Sequence, residues 1–176
     1  IKEVYNVSDY ITLNISSPNT RDLRELHAKK YLDEFLYKIK RCCDQLSKKN
    51  RRSVPLLLKI SPDHQEDRIE ELCKIINTYE IQGVVLTNTS VDKSILSSRR
   101  YDDVDGGVSG HPLSKKSTKM IEVCRKLLHK DTVIIGCGGI ISKSSADEKL
   151  RAGANLLQVY TGLVYKGLQL IKQVNN

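Results

Sequence analysis

The sequence has no tryptophan, a single phenylalanine, and eight tyrosines spread along its 176 residues. Sheets that read RNA usually offer clustered stacking aromatics, and these tyrosines do not cluster. No apolar run approaches the ~18 residues of a membrane-spanning helix. The five cysteines, Cys42, Cys43, Cys73, Cys124 and Cys137, are odd in number and contain no C-x-x-C pair. That pattern argues against a disulfide framework and a structural zinc site, and for a reducing compartment. His27, His64, His111 and His129 show no metal-ligand spacing, so no metal is expected. A G-x-G-x-x-G fingerprint and a P-loop are also missing. The chain opens on Ile1 rather than Met, so a longer natural protein is expected. With the start open, the lack of a visible signal peptide says little.

What is present is basic charge. Lys and Arg number 29 against 21 Asp and Glu, a net +8. Such a balance suits nucleic acid, a membrane surface or an anionic ligand. The charges are scattered, which fits a solvated surface better than a nucleic-acid footprint. The densest run, "KKNRR" at 48–52, reads as the loop at a helix end.

Short apolar runs alternate with helical patterns. The strand-like runs are "YITLNI" (10–15), "VPLLLKI" (54–60), "GVVLTNT" (83–89), "TVIIGCGG" (132–139) and "NLLQVYT" (155–161). Between them, Leu32, Phe35, Leu36 and Ile39 mark one helical face, and Ile69, Leu72, Cys73 and Ile76 another. The "SPD" before the second helix supplies an N-cap candidate. Further helices are expected over 113–128, 142–152 and 168–174. Strands apolar on both faces and alternating with helices imply a parallel sheet under helices. A doubly wound sheet and a (β/α)8 TIM barrel both fit. The polar residues decide between them, because Asn14, Lys59, Asn88, 136–139 and Tyr160-Thr161 all fall at C-terminal strand ends. A barrel gathers such ends around one site, whereas an open sheet uses only its switch point. A barrel needs eight strands and ~250 residues. The chain therefore reads as about the last five βα units of one, within a single domain.

Several residues at these ends carry chemistry. Lys59 interrupts an apolar run, where an ammonium must either snorkel out or meet an anion or electron-rich ring. "DGGVSGHPL" (105–113) and "IIGCGGI" (134–140) are glycine-rich turns whose backbone can approach a ligand closely. Loops after the last two strands of a barrel often cradle phosphate, and "TVIIGCGG" and "NLLQVYT" hold those places. Asn14, Asn19 and Asn88 end different strands; each alone is an ordinary turn former. Together they could read a planar ligand bearing a carboxylate or imide.

In order, "LNISSPNT", "LLLKISPD", "GVVLTNTS", "GGVSGHPLSKKST", "IIGCGGI" and "AGANLLQVYTGLVYKG" resemble the motifs of the dihydroorotate dehydrogenase family, from about residue 10 to 172. The resemblance implies an FMN-binding (β/α)8 barrel that oxidises dihydroorotate to orotate in pyrimidine synthesis. Soluble members of the first class carry Cys where this chain has Ser17. The serine implies the second class, which associates peripherally with a membrane and passes electrons to a ubiquinone-type quinone. That membrane is the inner mitochondrial one, or the bacterial cytoplasmic one if the source is bacterial. By resemblance, Ser17 is the base for the C5 proton, while the C6 hydride leaves for the flavin. A serine hydroxyl is a poor base and needs a relay or a neighbour such as Thr20. Asn14, Asn19, Asn88 and Thr89 match substrate-binding residues. Lys59, Thr87, Ser109, Gly110, Gly138, Gly139, Tyr160 and Thr161 match residues around the flavin and its phosphate. Cys137 departs from the small apolar residue usual at its position, and the charged segment "RDLRELHAKKY" (21–31) corresponds to a mobile lid.

The resemblance also marks what this sequence does not contain: the first strands, part of the FMN site and the helices of the quinone tunnel. Three other readings remain alongside it: a barrel fragment without activity, a first-class enzyme using fumarate or NAD, and a basic nucleic-acid-binding protein. Only the last rests on the +8 charge alone.

Overall fold

The computed structural model describes residues 1–16 and 29–175. Five parallel strands form one sheet: β1 (Ile11–Asn14), β2 (Leu56–Ile60), β3 (Gly83–Leu86), β4 (Val133–Cys137) and β5 (Leu156–Gln158). Their spatial order is their chain order. A doubly wound sheet would reverse direction at a switch point; this one does not. It is a singly wound arc, as a barrel requires.

Helices α1 (Lys29–Asn50), α2 (Glu66–Thr78), α3 (Ser114–Leu127) and α4 (Lys143–Arg151) return the chain between strands. Two short helices, α5 (Thr161–Lys166) and α6 (Leu168–Asn175), follow β5. All crossovers running the same way put the helices on one face. Leu56, Leu58 and Ile60 of β2, with Val84, Leu86 and Ile134, point to that face. They form the main core with Leu32 and Leu36 of α1, Ile69, Leu72 and Ile76 of α2, and Met120, Ile121 and Cys124 of α3. The alternate residues Leu57, Val85 and Ile135 make a separate cluster on the inner face. β3 therefore reads as an unbroken apolar run, and β2 as one broken only by Lys59, because both their faces are covered.

Element ends differ from the sequence expectation in three informative places. β2 begins after Pro55, which has no N–H to give a ladder, although its carbonyl accepts from Ile11 N at 2.9 Å. β5 stops at Gln158, because Tyr160 and Thr161 turn the chain into α5, a helix the pattern did not announce. The "SPD" motif does not cap α2: Gln65 holds the cap position without a side-chain bond, and Asp63 is used elsewhere. The run 48–52 also has local work. The Arg52 guanidinium donates to Asn6 O and Ser8 O, and Arg52 O accepts from the Tyr5 hydroxyl. These bonds fasten the N-terminal segment over Cys43 and Val54.

Candidate active site at the strand C-termini

The inner-face positions of β1, β2 and β3 line up in register: Asn14 beside Lys59, and Lys59 beside Val85. Strand pleating therefore sends Asn14 and Lys59 out of the same face at the same height. Just past β3 the backbone of Asn88 donates to Ile60 O at 2.9 Å. The Asn88 side chain then reaches back across β2, its amide donating to Ser16 O at 3.0 Å, Ser16 Oγ at 3.1 Å and Asn14 Oδ1 at 3.3 Å. Its own Oδ1 accepts from Thr89 N at 2.9 Å. Two asparagines 74 residues apart thus meet over Lys59, with orientations set by their partners.

A cavity of about 330 Å³ opens beside them. Its wall takes Lys59 from β2, Thr87, Asn88 and Thr89 from the end of β3, and Ser109 and Gly110 from the next loop. Gly138 and Gly139 come from the β4 end, and Tyr160 and Thr161 from the β5 end. The volume falls in the range of small-molecule sites. Gly110, Gly138 and Gly139 have φ of 75°, 113° and 77°, a region L side chains enter only with strain. At Gly139 packing adds a second demand, since a Cβ would lie 2.4 Å from Ser114 Cα. The turn is pressed against the first turn of α3. The Thr161 hydroxyl donates to Ser109 Oγ at 2.9 Å, closing the cavity's far side.

One cation, several hydroxyls and glycine-shaped backbone around one hollow suit an anionic group carrying a flat ring. FMN has that chemistry, a phosphate at one end and an electron-rich ring at the other, and the donor set fits it.

Every expected residue among those described gathers at this mouth; Ser17 and Asn19 lie outside the described residues, as does Thr20. The sequence reading overlooked Ser16, which is buried and joins Asn14 to Asn88; its place in "SSP" was the available signal. It also overlooked a charged cluster behind the mouth. Asp63, after β2, accepts from Lys116 Nζ at 2.6 Å, from Val91 N at 2.8 Å and from the Ser90 hydroxyl. Lys116 also reaches Asp92 Oδ2 at 3.2 Å. Burial opposes ionisation of Asp63, but bonds from Lys116, Ser90 and Val91 hold its carboxyl below the usual range. Lys116 is raised despite burial, through Asp63 and Asp92. In the wall itself, burial pushes the Cys137 thiol up, against the nearby charges of Lys59 and Lys149.

A singly wound βα arc with a cavity at its C-terminal strand ends is the architecture of part of a TIM barrel. The family model for dihydroorotate dehydrogenase matches residues 1–176, and the chain belongs to that family. The chain is 45% identical over 168 residues to the dihydroorotate dehydrogenase (quinone) of Dichelobacter nodosus, covering 96% of this chain and 50% of that protein. With the protein of the same name from Wigglesworthia glossinidia brevipalpis it shares 44% identity over 174 residues, 99% of this chain and 52% of the other. Two crystal structures of DHODH from Eimeria tenella, one with ferulenol and one ligand-free, superpose with TM-scores of 0.87 at 28% and 27% identity. They cover 98% and 97% of this chain and 50% of theirs. The chain spans about half the length of the relatives it matches.

Proposed function

We propose that residues 1–176 are the C-terminal part of a single FMN-binding (β/α)8 barrel that oxidises dihydroorotate to orotate and passes the electrons to a quinone. The observation that carries this reading is the convergence of Lys59, Asn88 and Thr89 with the Ser109–Gly110 and Gly138–Gly139 turns on one cavity. The names of the matched relatives support the quinone as acceptor.

When bound, FMN supplies the two-electron acceptor. The chain's own groups do the rest. Ser109, Gly110, Gly138, Gly139, Tyr160 and Thr161 would hold the phosphate end. Lys59 brings positive charge to the cavity wall, where it favours electron density on a ring laid against it. Thr87, nearly fully buried, lines the same wall and would contribute to holding the flavin. Asn14, Asn19, Asn88 and Thr89 offer donors and acceptors to the substrate's carboxylate and ring amides. Asn88 is held ready by Ser16 and Thr89 N, so little ordering is left to the binding step. Ser17 acts on the C5 proton as a relay: its hydroxyl accepts that proton while passing its own to water, since it cannot retain the extra proton near neutral pH.

A quinone acceptor implies peripheral contact with a membrane. No helix among the described residues is long and apolar enough to cross one. The Dichelobacter and Wigglesworthia relatives are bacterial, which favours a bacterial cytoplasmic membrane over the inner mitochondrial one.

The test is the full natural chain, purified and supplied with dihydroorotate and a soluble quinone. Flavin absorbance and quinone reduction are expected; a colourless, inactive protein overturns the reading. Two variants probe the roles. Ser17→Ala is expected to lower kcat on the order of 100-fold or more. Lys59→Met is expected to lower it by a similar factor. Near-normal turnover in either removes that residue from its assigned role.

A further inference from the structure

We propose that Lys116 is a positioning residue for the substrate side of the site, acting through Asp63 and Asp92 on residues 88–90. This rests on the reading above, that Asn88 and Thr89 face a dihydroorotate-like ligand.

Asp63 is a carboxylate placed where a helix cap would be and not used as one. Its own loop is set by Asp63 N donating to Ser61 Oγ at 3.2 Å. Both of its oxygens then turn to the loop after β3. Oδ1 takes the Ser90 hydroxyl and Lys116 Nζ, and Oδ2 takes Val91 N. Lys116 comes from the first turn of α3 and binds Asp63, Asp92 and Ser90 Oγ together. Three segments distant in sequence are thus joined by one ammonium. Ser90 is fully buried, with its hydroxyl also accepting from Asp92 N at 3.1 Å. Lys116 and Asp63 are themselves mostly covered, their side chains 29% and 20% exposed. A cluster so covered is screened far less than a surface pair.

Ser90 sits two residues from Asn88. Residues 88–90 are therefore held at both ends: Asn88 N by Ile60 O, and Ser90 by Asp63, three residues further along the same β2 exit. The clasp reaches the cofactor side too. Ser90 N and O pair with Val108 O and N at 3.1 and 2.7 Å, so the excursion between them closes on itself. Gly107 passes so close to Thr89 that a Cβ there would lie 2.1 Å from Thr89 Oγ1. The excursion's two ends supply Asn88 and Thr89, then Ser109 and Gly110. Lys116 touches none of these four, yet it fixes the base from which they project. Losing this charge would displace Asn88 without any change at the ligand itself.

The test uses the full natural chain loaded with FMN and reads two quantities: dihydroorotate kinetics and the orotate dissociation constant from perturbation of flavin absorbance. Lys116→Met is expected to raise KM and the orotate dissociation constant about tenfold. It should change kcat by less than about threefold, because ground-state and transition-state binding are lost together. Lys116→Arg, which keeps the charge and the reach, is expected to recover most of the affinity. A global structural defect would lower flavin content and kcat and would not separate KM from kcat. If Lys116→Met does not fold, Asp92→Asn removes the charge of the 3.2 Å bridge while leaving an Oδ1 that can still accept from Ser94 N. It is expected to raise KM about threefold. Unchanged orotate affinity in either variant, or failure of Lys116→Arg to recover affinity, overturns the proposal. A wild-type protein that binds no orotate overturns the functional reading and this proposal with it, an outcome distinct from intact binding that ignores Lys116.

Discussion

At the scale of single residues, Lys149 shows how an ammonium survives inside a core. It is fully buried on α4, and Nζ donates to Ser114 O and Thr118 Oγ1, each at 2.7 Å. Burial pushes its pKa down to about 8 from an ordinary 10.5, with Glu148 and Cys137 opposing. The unfolded chain keeps its proton up to that ordinary value, so between these limits it binds more protons than the folded one. Stability must then rise with pH across the window. Measured as wild type minus Lys149→Met by urea unfolding, the difference is expected to grow by about 3 kcal/mol from pH 8 to pH 10.5. A flat difference refutes the buried, depressed lysine. Lys59 and Lys149 also show what a sequence reveals at this scale. Lys59 was legible because it breaks an apolar strand run, and position alone marked it. Lys149 sits in a helix among other charged residues and looks like any solvated lysine. Asp63 was legible as a polar residue before a helix, but its partners lie 27, 28 and 53 residues away, beyond any local spacing rule.

At the scale of elements, alternation of apolar strand and amphipathic helix was enough to place all five strands and the four longer helices. Continuous apolar strand runs and period-3.6 helix patterns survive in a parallel sheet because helices cover one face and the other is apolar in its middle. The ends were less legible, since they depend on what a turn packs against. β4 illustrates this. "GCGG" reads as a turn whose backbone can approach a ligand, and Gly138 and Gly139 are also required there by positive φ, Gly139 further by contact with Ser114. Their role is first to let α3 dock; the open cradle follows from that docking. Gly139→Ala is expected to cost about 3 kcal/mol, from strained backbone and overpacking together. It should also release bound flavin more readily, read as lost absorbance after dialysis. A loss under about 1 kcal/mol with flavin retained would mean the turn shifts without consequence. The short helix α5 escaped the sequence reading because it is only six residues long and carries exposed Val164 and Tyr165, so no buried stripe announces it.

At the scale of the whole molecule, the five strands make an arc whose edge strands, β1 and β5, each pair on one side alone among the described residues. The inner face is covered in its middle, where Leu57, Val85 and Ile135 are buried, and opens towards β5, where Leu156 is 57% exposed. A trough of about 540 Å³ lies there, lined by Tyr10, Pro55, Leu57, Val133, Ile135 and Leu156 among others. In a closed barrel such inward side chains interdigitate in layers from alternate strands. Here the layers lack partners on the β5 side, and the chain spans about half of each relative it matches. Open parallel edges beside an apolar trough invite pairing with other copies. Produced alone, the 176-residue chain is therefore expected to form multimers at micromolar concentration and to bind a hydrophobic dye. Leu156→Lys, which places charge at the trough's exposed rim, is expected to reduce both signals without disturbing the helix-facing core. The full natural chain is expected to show neither, because further strands would pair the edges and fill the trough. Sedimentation and dye fluorescence on the three proteins decide the matter. A monodisperse, dye-silent 176-residue chain would show that the inner face closes by other means and that the arc is not an incomplete barrel.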